Sequence, residues 1–232
     1  VVMPTSIFAQ SDMMCETYNE APELAERVAA GELPPVEERL PVNPRVVDPY
    51  DSIGTYGGQM FDLYNGGRLA EFRQFGYENL VRWSVDGSEV IPNIAESWEV
   101  SEDGTTYTFT LREGMKWSDG ELFTADDILF WWEQVETNTD INPGGPHNYF
   151  VVNGVPAEVT KIDDLTVEFK FSQPNGLFLQ NLSASYGVRV TQFPEHYLSQ
   201  FSMELNPEGV TTLMEEAGFE EYGQWWISNV GS

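Results

Sequence analysis

The sequence predicts a mixed α/β fold, with helices and antiparallel strands together (α+β), on the evidence of three patterns. Apolar residues alternate with threonine and charged residues from Trp98 to Leu111 and again from Val159 to Phe171, which is typical of strands with one buried face. Between them, apolar residues from Ile128 to Val135 recur at helical spacing. Hairpins beside an amphipathic helix are the parts of a layered domain.

The chain is strongly acidic and has a single cysteine. It contains 232 residues, with 38 acidic against 11 basic side chains and a net charge of −27. A surface this negative repels nucleic acid and anionic lipid, so we expect neither as a partner, and the charge by itself accounts for solubility. Cys15 cannot form an internal disulfide or a cysteine-rich metal site. The residues before it, Asp12 to Met14, lack the small apolar character that a lipidation site needs.

Residues 1–20 are interpreted as the remnant of a secretory signal or as a flexible start. Val1 to Ala9 is apolar and ends in small residues, which favours export, although no charged segment precedes it. Nowhere does the sequence contain an uninterrupted apolar run of ~18 residues, the length that a transmembrane helix needs.

The next segment is predicted to be an arm that lies across a larger body. A helix is expected from Ala21 to Gly31, with Pro22 at its first position. The prolines between Pro34 and Pro49 then predict an extended, loop-like chain. A first strand is expected over 56–64, and the apolar spacing over 69–81 is compatible with a helix.

The stretch that follows is the most regular part of the sequence. Glu102 to Gly104 predicts the turn between two strands, and Asp119-Gly120 predicts a second turn. Thr124 and Asp127 have the spacing of a capping box at the start of a helix, with Asp in place of Glu. The helix then buries Ile128, Trp131, Trp132 and Val135 on one face.

The C-terminal part is predicted to hold a loop, a hairpin and two short helices. The loop is Asn142 to Pro146, and Asp163-Asp164 is the turn of the second hairpin. The helices are expected from Pro194 to Phe201 and from Asn206 to Ala217. Asn206 is the expected cap of the second helix, and Gly218 its expected stop.

The segment from Pro92 to Ile128 resembles a known signature. It reads PNIAESWEVSEDGTTYTFTLREGMKWSDG and continues with FTADDI from Phe123. This pattern is similar to that of the family 5 extracellular solute-binding proteins, the oligopeptide, dipeptide and nickel binders of ABC importers. Tyr77 to Val81 resembles the first helix of domain II in that family, and Pro194 to Leu198 its Pro-x-His-Tyr element.

The resemblance implies a two-lobed fold of the type II periplasmic-binding-protein kind, incomplete here because such proteins are more than twice as long. By this comparison, residues 21–76 hold the arm and the first strand of domain I, and residues 77–232 are mostly the smaller domain II. It further implies a monomer, periplasmic or extracellular and membrane-associated through the importer. Such a protein captures a peptide or small oligosaccharide by hinge closure, passes it to an ABC permease, and needs no catalysis or cofactor.

Two groups of residues are expected to contact the ligand. Tyr64, Asn65 and Arg68 follow the predicted first strand, where open α/β sheets bind ligands at their carboxyl edge, although a solvated turn explains them equally well. Asn148 and Tyr149 lie in the region where members of the resembled family place an aromatic side chain of domain II against the ligand.

Catalytic and metal sites are not predicted. His147 and His196 have no partner at ligand spacing, and the nucleophile and phosphate-loop motifs are absent from the sequence. Adjacent Asp126 and Asp127 diverge around a helix, so the cap explains them better than acid–base chemistry does. A carbohydrate-binding module with aromatic side chains on an exposed flat face, a secreted hydrolase fragment, and a fragment that binds nothing remain as alternatives.

Overall fold

The computed structural model describes residues 18–47, 49, 51–59 and 78–231. Helices and strands are labelled here in chain order. The helices are α1 (Pro22–Ala29), α2 (Val36–Arg39), α3 (Ala125–Phe130), α4 (Phe178–Leu182), α5 (Glu195–Leu198), α6 (Pro207–Ala217) and α7 (Tyr222–Asn229). The strands are β1 (Val81–Trp83), β2 (Val90–Pro92), β3 (Ala95–Val100), β4 (Thr106–Leu111), β5 (Val151–Val152), β6 (Val155–Pro156), β7 (Glu158–Asp163) and β8 (Thr166–Lys170).

Four antiparallel strands form the central sheet, in the order β3-β4-β8-β7. The two predicted hairpins are therefore joined through their second strands, with Phe109 of β4 opposite Val167 of β8. β1 pairs with β2, and β5 with β6, in two small antiparallel ladders. The mixture of helices with an antiparallel sheet confirms the predicted fold class.

One face of the sheet is buried. Tyr107, Phe109 and Phe169 are at most 4% exposed, and the rings of Phe109 and Phe169 meet edge to face with centroids 5.8 Å apart. Phe178 of α4 packs over this face at 5.4 Å from Phe169. Edge-to-face pairs of this kind stabilise a core beyond the area they bury, by roughly 0.5–1.5 kcal/mol each. The alternation in the sequence is thus explained by one apolar and one solvated face.

α3 begins with the predicted capping box. The Thr124 hydroxyl accepts the backbone N–H of Asp126 at 3.2 Å, and the Asp127 carboxylate accepts the N–H of Thr124 at 2.8 Å. A π-helical segment, Trp131–Glu136, continues the helix. Trp131 and Trp132 are 0% and 6% exposed, so their prediction as core residues is confirmed.

The N-terminal arm contacts the domain just beyond the end of β4. The backbone N–H of Val42 donates to the carbonyl of Glu113, and Arg112 donates to the carbonyl of Asn43, both at 2.8 Å. Gly114, which has a φ of +79°, lies against the arm, and a Cβ there would be 3.5 Å from the Val42 nitrogen. A Cβ at that distance would make an ordinary contact, so it is the left-handed conformation that favours glycine at this position.

Three predictions about local structure were wrong. Val81 begins strand β1, paired with Pro92, so neither the helix predicted to reach it nor the resemblance of Tyr77 to Val81 to a helix holds there. Prolines 34–49 predicted an extended arm, yet α2 (Val36–Arg39) forms a helical turn directly after Pro35. Val100 was placed on the buried face of its hairpin but is 43% exposed, because it lies at the end of β3 beyond the core.

Other elements agree with the sequence or were not anticipated. Asn206 accepts the N–H of Gly209 and Gly218 adopts the left-handed conformation, as expected for the cap and stop of α6. The short ladders, α4, the 3-10 segment Ser185–Thr191 and α7 were not predicted. Residues 60–64 of the expected first strand, and 69–77 of the expected helix, lie outside the described residues.

Candidate functional site

The predicted site residues divide into two groups in the structure. Tyr64, Asn65 and Arg68 lie outside the described residues, so their placement stays a prediction. Asn148 and Tyr149 begin a 3-10 turn, Asn148–Phe150, after the loop that follows the π-helical segment. Asn148 is exposed, whereas Tyr149 is half-buried and packs against the core. The turn thus exposes the Asn148 amide to solvent, and the packing of the Tyr149 ring against the core holds the turn in place.

Three aromatic rings lie together at this turn. The His147 ring stacks on Tyr186 with centroids 3.8 Å apart, and Tyr149 meets His147 edge-on at 4.4 Å. His147 Nδ1 is also 3.4 Å from the backbone N–H of Tyr149, so this nitrogen is the acceptor in the turn. Burial lowers the pKa of His147 below its usual value, so its imidazole is neutral at pH 7.

Glu136, the last residue of the π-helical segment, lies beneath these rings. It is 1% exposed, and its Oε1 accepts the backbone N–H of His147 at 2.7 Å. The Tyr186 hydroxyl lies 3.3 Å from each of the two carboxylate oxygens. Burial and the negative charge of Glu136 raise the pKa of Tyr186 to about 12, so the phenol remains a donor at physiological pH.

Arg189 completes the cluster from the 3-10 segment that also carries Tyr186. Its guanidinium carbon lies 5.7 Å from the centroid of the Tyr186 ring and 5.3 Å from that of Phe193. Both distances are within the range of a cation–π contact. Gly187 allows this segment to pass close to α4, because a Cβ there would be 1.9 Å from the Leu182 carbonyl oxygen.

A cavity of about 260 Å³ adjoins Glu136, Tyr186 and Arg189. Its other lining residues come from the π-helical segment, the following loop, the stretch just after the 3-10 segment and the C-terminal helix region: Val135, Ile141, Asn142, Phe193, Trp226, Ile227 and Gly231. The lining thus combines apolar side chains with the polar and charged groups of Glu136, Tyr186 and Arg189. Pockets that hold small molecules typically combine apolar walls with a few oriented polar groups in this way.

The cluster is suited to binding. A neutral imidazole, a neutral phenol and a cationic guanidinium can stack, donate hydrogen bonds and attract negative charge. Among the described residues, no group of three or more His, Cys, Asp or Glu side chains is placed to hold a metal ion.

The tryptophans do not form an exposed binding face. Trp131, Trp132, Trp225 and Trp226 are at most 6% exposed, and Trp83 is the one tryptophan among the seven with an exposed side chain, all seven being described. This distribution is the opposite of the flat aromatic platform that a carbohydrate-binding module would need.

Sequence reasoning predicted Asn148 and Tyr149 as ligand contacts, which stay predictions, and did not single out Glu136, Tyr186 and Arg189. Glu136 is separated from Tyr186 by 50 residues, and nothing in the local pattern links the two. The available signal was weak: Glu136 directly follows the buried Val135 at the end of an apolar helix face, and Arg189 is one of few cations in a very acidic chain.

Comparison with known proteins identifies the family. Residues 89–197 match the family model described as "Bacterial extracellular solute-binding proteins, family 5 Middle". This range contains the signature segment, the central sheet and α3. This match and the relatives described next support a family 5 extracellular solute-binding protein.

Individual family 5 relatives agree with this assignment. A dipeptide-binding protein of Escherichia coli is 42% identical over 47% of this chain and 23% of its own length. A periplasmic alpha-galactoside-binding protein of Rhizobium meliloti is 36% identical over 67% of this chain and 26% of its own. The solved structure of an oligopeptide-binding protein, OppA, is similar with a TM-score of 0.78 and 38% identity, over 89% of this chain and 32% of that chain.

These matches also bear on the extent of the fold. The chain spans about a quarter of the length of these curated relatives and about a third of the OppA chain. The likeness to OppA confirms the predicted periplasmic-binding-protein type of fold, of which this chain contains a part. The described helices include none that is long and apolar enough to cross a membrane.

Proposed function

We propose that the chain is part of an extracytoplasmic solute-binding component of an ABC importer. The observation that carries this proposal is the similarity of the fold to an oligopeptide-binding protein over 89% of the chain, at 38% identity. At that identity the likeness extends beyond the fold to the family signature. The relatives are named as binding proteins for dipeptides and for alpha-galactosides, so the proposed solute is a peptide or a small oligosaccharide.

The proposed mechanism is capture between two lobes that close about a hinge. A ligand that binds the closed form more tightly than the open form shifts the population towards closure, and no bond is made or broken. The protein acts as a monomer in the periplasm or outside the cell, without catalysis or a cofactor. It becomes associated with the membrane when the closed form docks on the permease.

The proposed ligand contacts are those that the sequence predicts. Exposed Asn148 supplies an amide that can donate and accept hydrogen bonds, and half-buried Tyr149 supplies a ring edge held in place by His147. Tyr64, Asn65 and Arg68 are proposed as the contacts from domain I. The rigid support of the 3-10 turn favours this role, since a contact residue held by packing loses little entropy on binding.

The test of function uses the protein expressed from its complete reading frame. A panel of di-, tri- and oligopeptides and small oligosaccharides is screened by thermal shift, and each hit is followed by small-angle X-ray scattering. We expect at least one ligand to raise the midpoint and to reduce the radius of gyration. Absence of compaction with every ligand would contradict the proposal. As a control, the ligand is recovered after binding and analysed by chromatography. A cleaved ligand would favour the alternative that the protein is a hydrolase.

The test of the site uses two substitutions and a matched control in the same protein. We expect Asn148→Ala and Tyr149→Ala each to weaken binding of the identified solute by ~10-fold, the loss of about one good contact. Tyr197→Ala serves as the control, because Tyr197 is 53% exposed on α5 and was not predicted to contact ligand. Equal affinities in all four proteins would remove Asn148 and Tyr149 from the site.

A further inference from the structure

His147 caps the turn that carries two of the proposed ligand contacts. Its Nδ1 accepts the backbone N–H of Tyr149 at 3.4 Å, and its carbonyl accepts the N–H of Phe150 at 2.9 Å. The side chain is thus the N-cap of the 3-10 turn Asn148–Phe150. At the start of a helical turn such an acceptor satisfies a backbone donor that has no partner within the turn. The position of the Asn148 and Tyr149 backbone therefore depends on this imidazole.

Packing fixes the imidazole in place. The ring stacks on Tyr186, with centroids 3.8 Å apart and 16° between the planes, and Tyr149 meets it edge-on at 4.4 Å. Glu136 holds the backbone of the same residue, because its carboxylate accepts the His147 N–H at 2.7 Å. A flip of the ring would preserve the stack but would put Cδ2 where Nδ1 lies, and the turn would then lose its acceptor.

Protonation of the ring removes this acceptor. A neutral imidazole has one nitrogen that donates and one that accepts, whereas both nitrogens of the imidazolium donate. A protonated Nδ1 would point its hydrogen at the Tyr149 N–H, and two hydrogens cannot lie between nitrogens 3.4 Å apart without repulsion. Histidine is the side chain whose ordinary charge change falls between about pH 5 and 8, so the cap is sensitive to mild acid.

The groups around the ring favour its neutral form. Burial has the largest effect and lowers the pKa of His147, the Glu136 carboxylate opposes that change, and the Arg189 guanidinium acts with burial. The ring contacts are to the phenols of Tyr149 and Tyr186, which carry no charge in acid. The cap is therefore intact at neutral pH, and acid takes up the proton against the preference of the fold.

We propose that His147 is a positioning residue for Asn148 and Tyr149, that it holds them only as a neutral imidazole, and that solute affinity therefore falls in acid. The statement about affinity rests on the proposed function, because it concerns the solute that the cleft captures. The statement about the turn does not, since the cap is a property of the chain without solute.

The affinity experiment uses calorimetry at about pH 7.0 and about pH 5.0, on the protein expressed from its complete reading frame. The probes are raffinose, an uncharged alpha-galactoside, and trialanine, whose terminal groups largely keep their charges over this range. We expect the wild type to bind about 5-fold more weakly at the lower pH, as the loss of one neutral hydrogen bond predicts. An affinity that does not fall in acid would overturn the proposal.

Two variants assign the pH dependence to His147. His147→Asn replaces the imidazole by a capping side chain that accepts but does not titrate, so we expect its affinity to be the same at both pH values. His196→Asn is the matched control, because His196 contacts Asp119 outside this turn, and it should retain the fall seen in the wild type. The same fall in His147→Asn as in the wild type would overturn the proposal.

Hydrogen exchange of residues 148–150, measured by mass spectrometry without solute, tests the cap directly. After correction for the intrinsic chemical rate, we expect protection in the wild type to drop about 5-fold between the two pH values and to stay constant in His147→Asn. Unchanged protection in the wild type would overturn the positioning role, even if His147→Asn fails to fold. If neither probe binds, the proposed function fails for these solutes, and exchange alone decides whether His147 positions the turn.

Discussion

At the scale of single residues, the two histidines lie in opposite environments. His196 is hydrogen-bonded to Asp119 through Nε2 at 2.8 Å, and this contact raises its pKa. His147 is stacked on Tyr186, and burial lowers its pKa. The raised pKa of His196 contributes stability that is present below the ordinary value of 6.5 and is lost as pH rises through the raised value. The lowered pKa of His147 acts in the opposite sense, because the unfolded chain gains the proton first as pH falls below 6.5.

Proton NMR can follow both histidines separately, since the sequence contains two. We expect one ring to titrate above 6.5 and the other below it, and Asp119→Asn to lower the pKa of the first ring only. Glu99→Gln is the control, because Glu99 is exposed on β3 and is not one of the groups that raise the pKa of His196. If the two histidine rings titrated with the same pKa, the opposite environments assigned to them would be wrong.

Glu136 is expected to stabilise the fold strongly for a charged residue. Replacing it by Ala leaves the His147 N–H and the Tyr186 hydroxyl without their acceptor in a buried place, at a cost of about 1–3 kcal/mol. Urea unfolding measures the change, with Glu133→Ala as the matched control. Glu133 is exposed on the same helical segment, so its removal should change the free energy of unfolding by less than about 0.5 kcal/mol. Equal effects of the two substitutions would contradict the role of Glu136.

The candidate site shows how far single residues can be predicted. Asn148 and Tyr149 were predicted as ligand contacts because a resemblance to a family pointed to that stretch. Glu136 and Arg189 come together only because the π-helical segment and the 3-10 segment pack side by side, and charge alone does not predict such a contact. A lone acidic residue in a sequence with 38 of them carries little information by itself.

At the scale of elements, the start of α3 depends on its cap. Thr124 supplies the hydroxyl that accepts the N–H of Asp126, and the Asp127 carboxylate also accepts the N–H of Glu195 at 2.8 Å. The same cap therefore joins α3 to α5. Burial raises the pKa of Asp127, against the hydrogen bonds from Thr124, Glu195 and Trp117 that lower it.

Thr124→Ala is expected to cost about 1 kcal/mol of the free energy of unfolding, as the loss of an N-cap typically does. Thr212→Ala is the matched control, because Thr212 is exposed within α6 and its hydroxyl donates only to the Glu208 carbonyl one turn away. Chemical denaturation of both variants gives the comparison. A loss for Thr124→Ala no larger than that for Thr212→Ala would show that the cap contributes little.

Elements with strong local signals were predicted and those without were missed. Alternation and turn residues predicted β3, β4, β7 and β8, because a half-buried strand imposes a period of two on its own sequence. β1 is three residues long and has no such period, and it forms because Val81 to Trp83 pairs with Val90 to Pro92. Its conformation is therefore decided by a partner strand.

At the scale of the whole molecule, the net charge of −27 is expected to oppose the compact state. Screening weakens this repulsion, so the thermal midpoint should rise when NaCl is increased from about 20 mM to about 500 mM. KCl at the same ionic strength is the control, since an equal rise indicates screening, whereas a rise with one salt only would indicate a specific ion site. A midpoint that falls with both salts would contradict net self-repulsion.

The sequence by itself predicted the fold class and the regular elements between Pro92 and Ile128, because local spacing encodes them, and the same segment carries the resemblance to the family. The tertiary structure decided where the arm lies, that Val81 is in a strand, and that Glu136, Tyr186 and Arg189 share one cavity. These features depend on contacts between residues far apart in the chain. The polar groups in such contacts lie at positions that the periodicity of the sequence does not predict. They come within hydrogen-bonding distance only when the segments that carry them pack together.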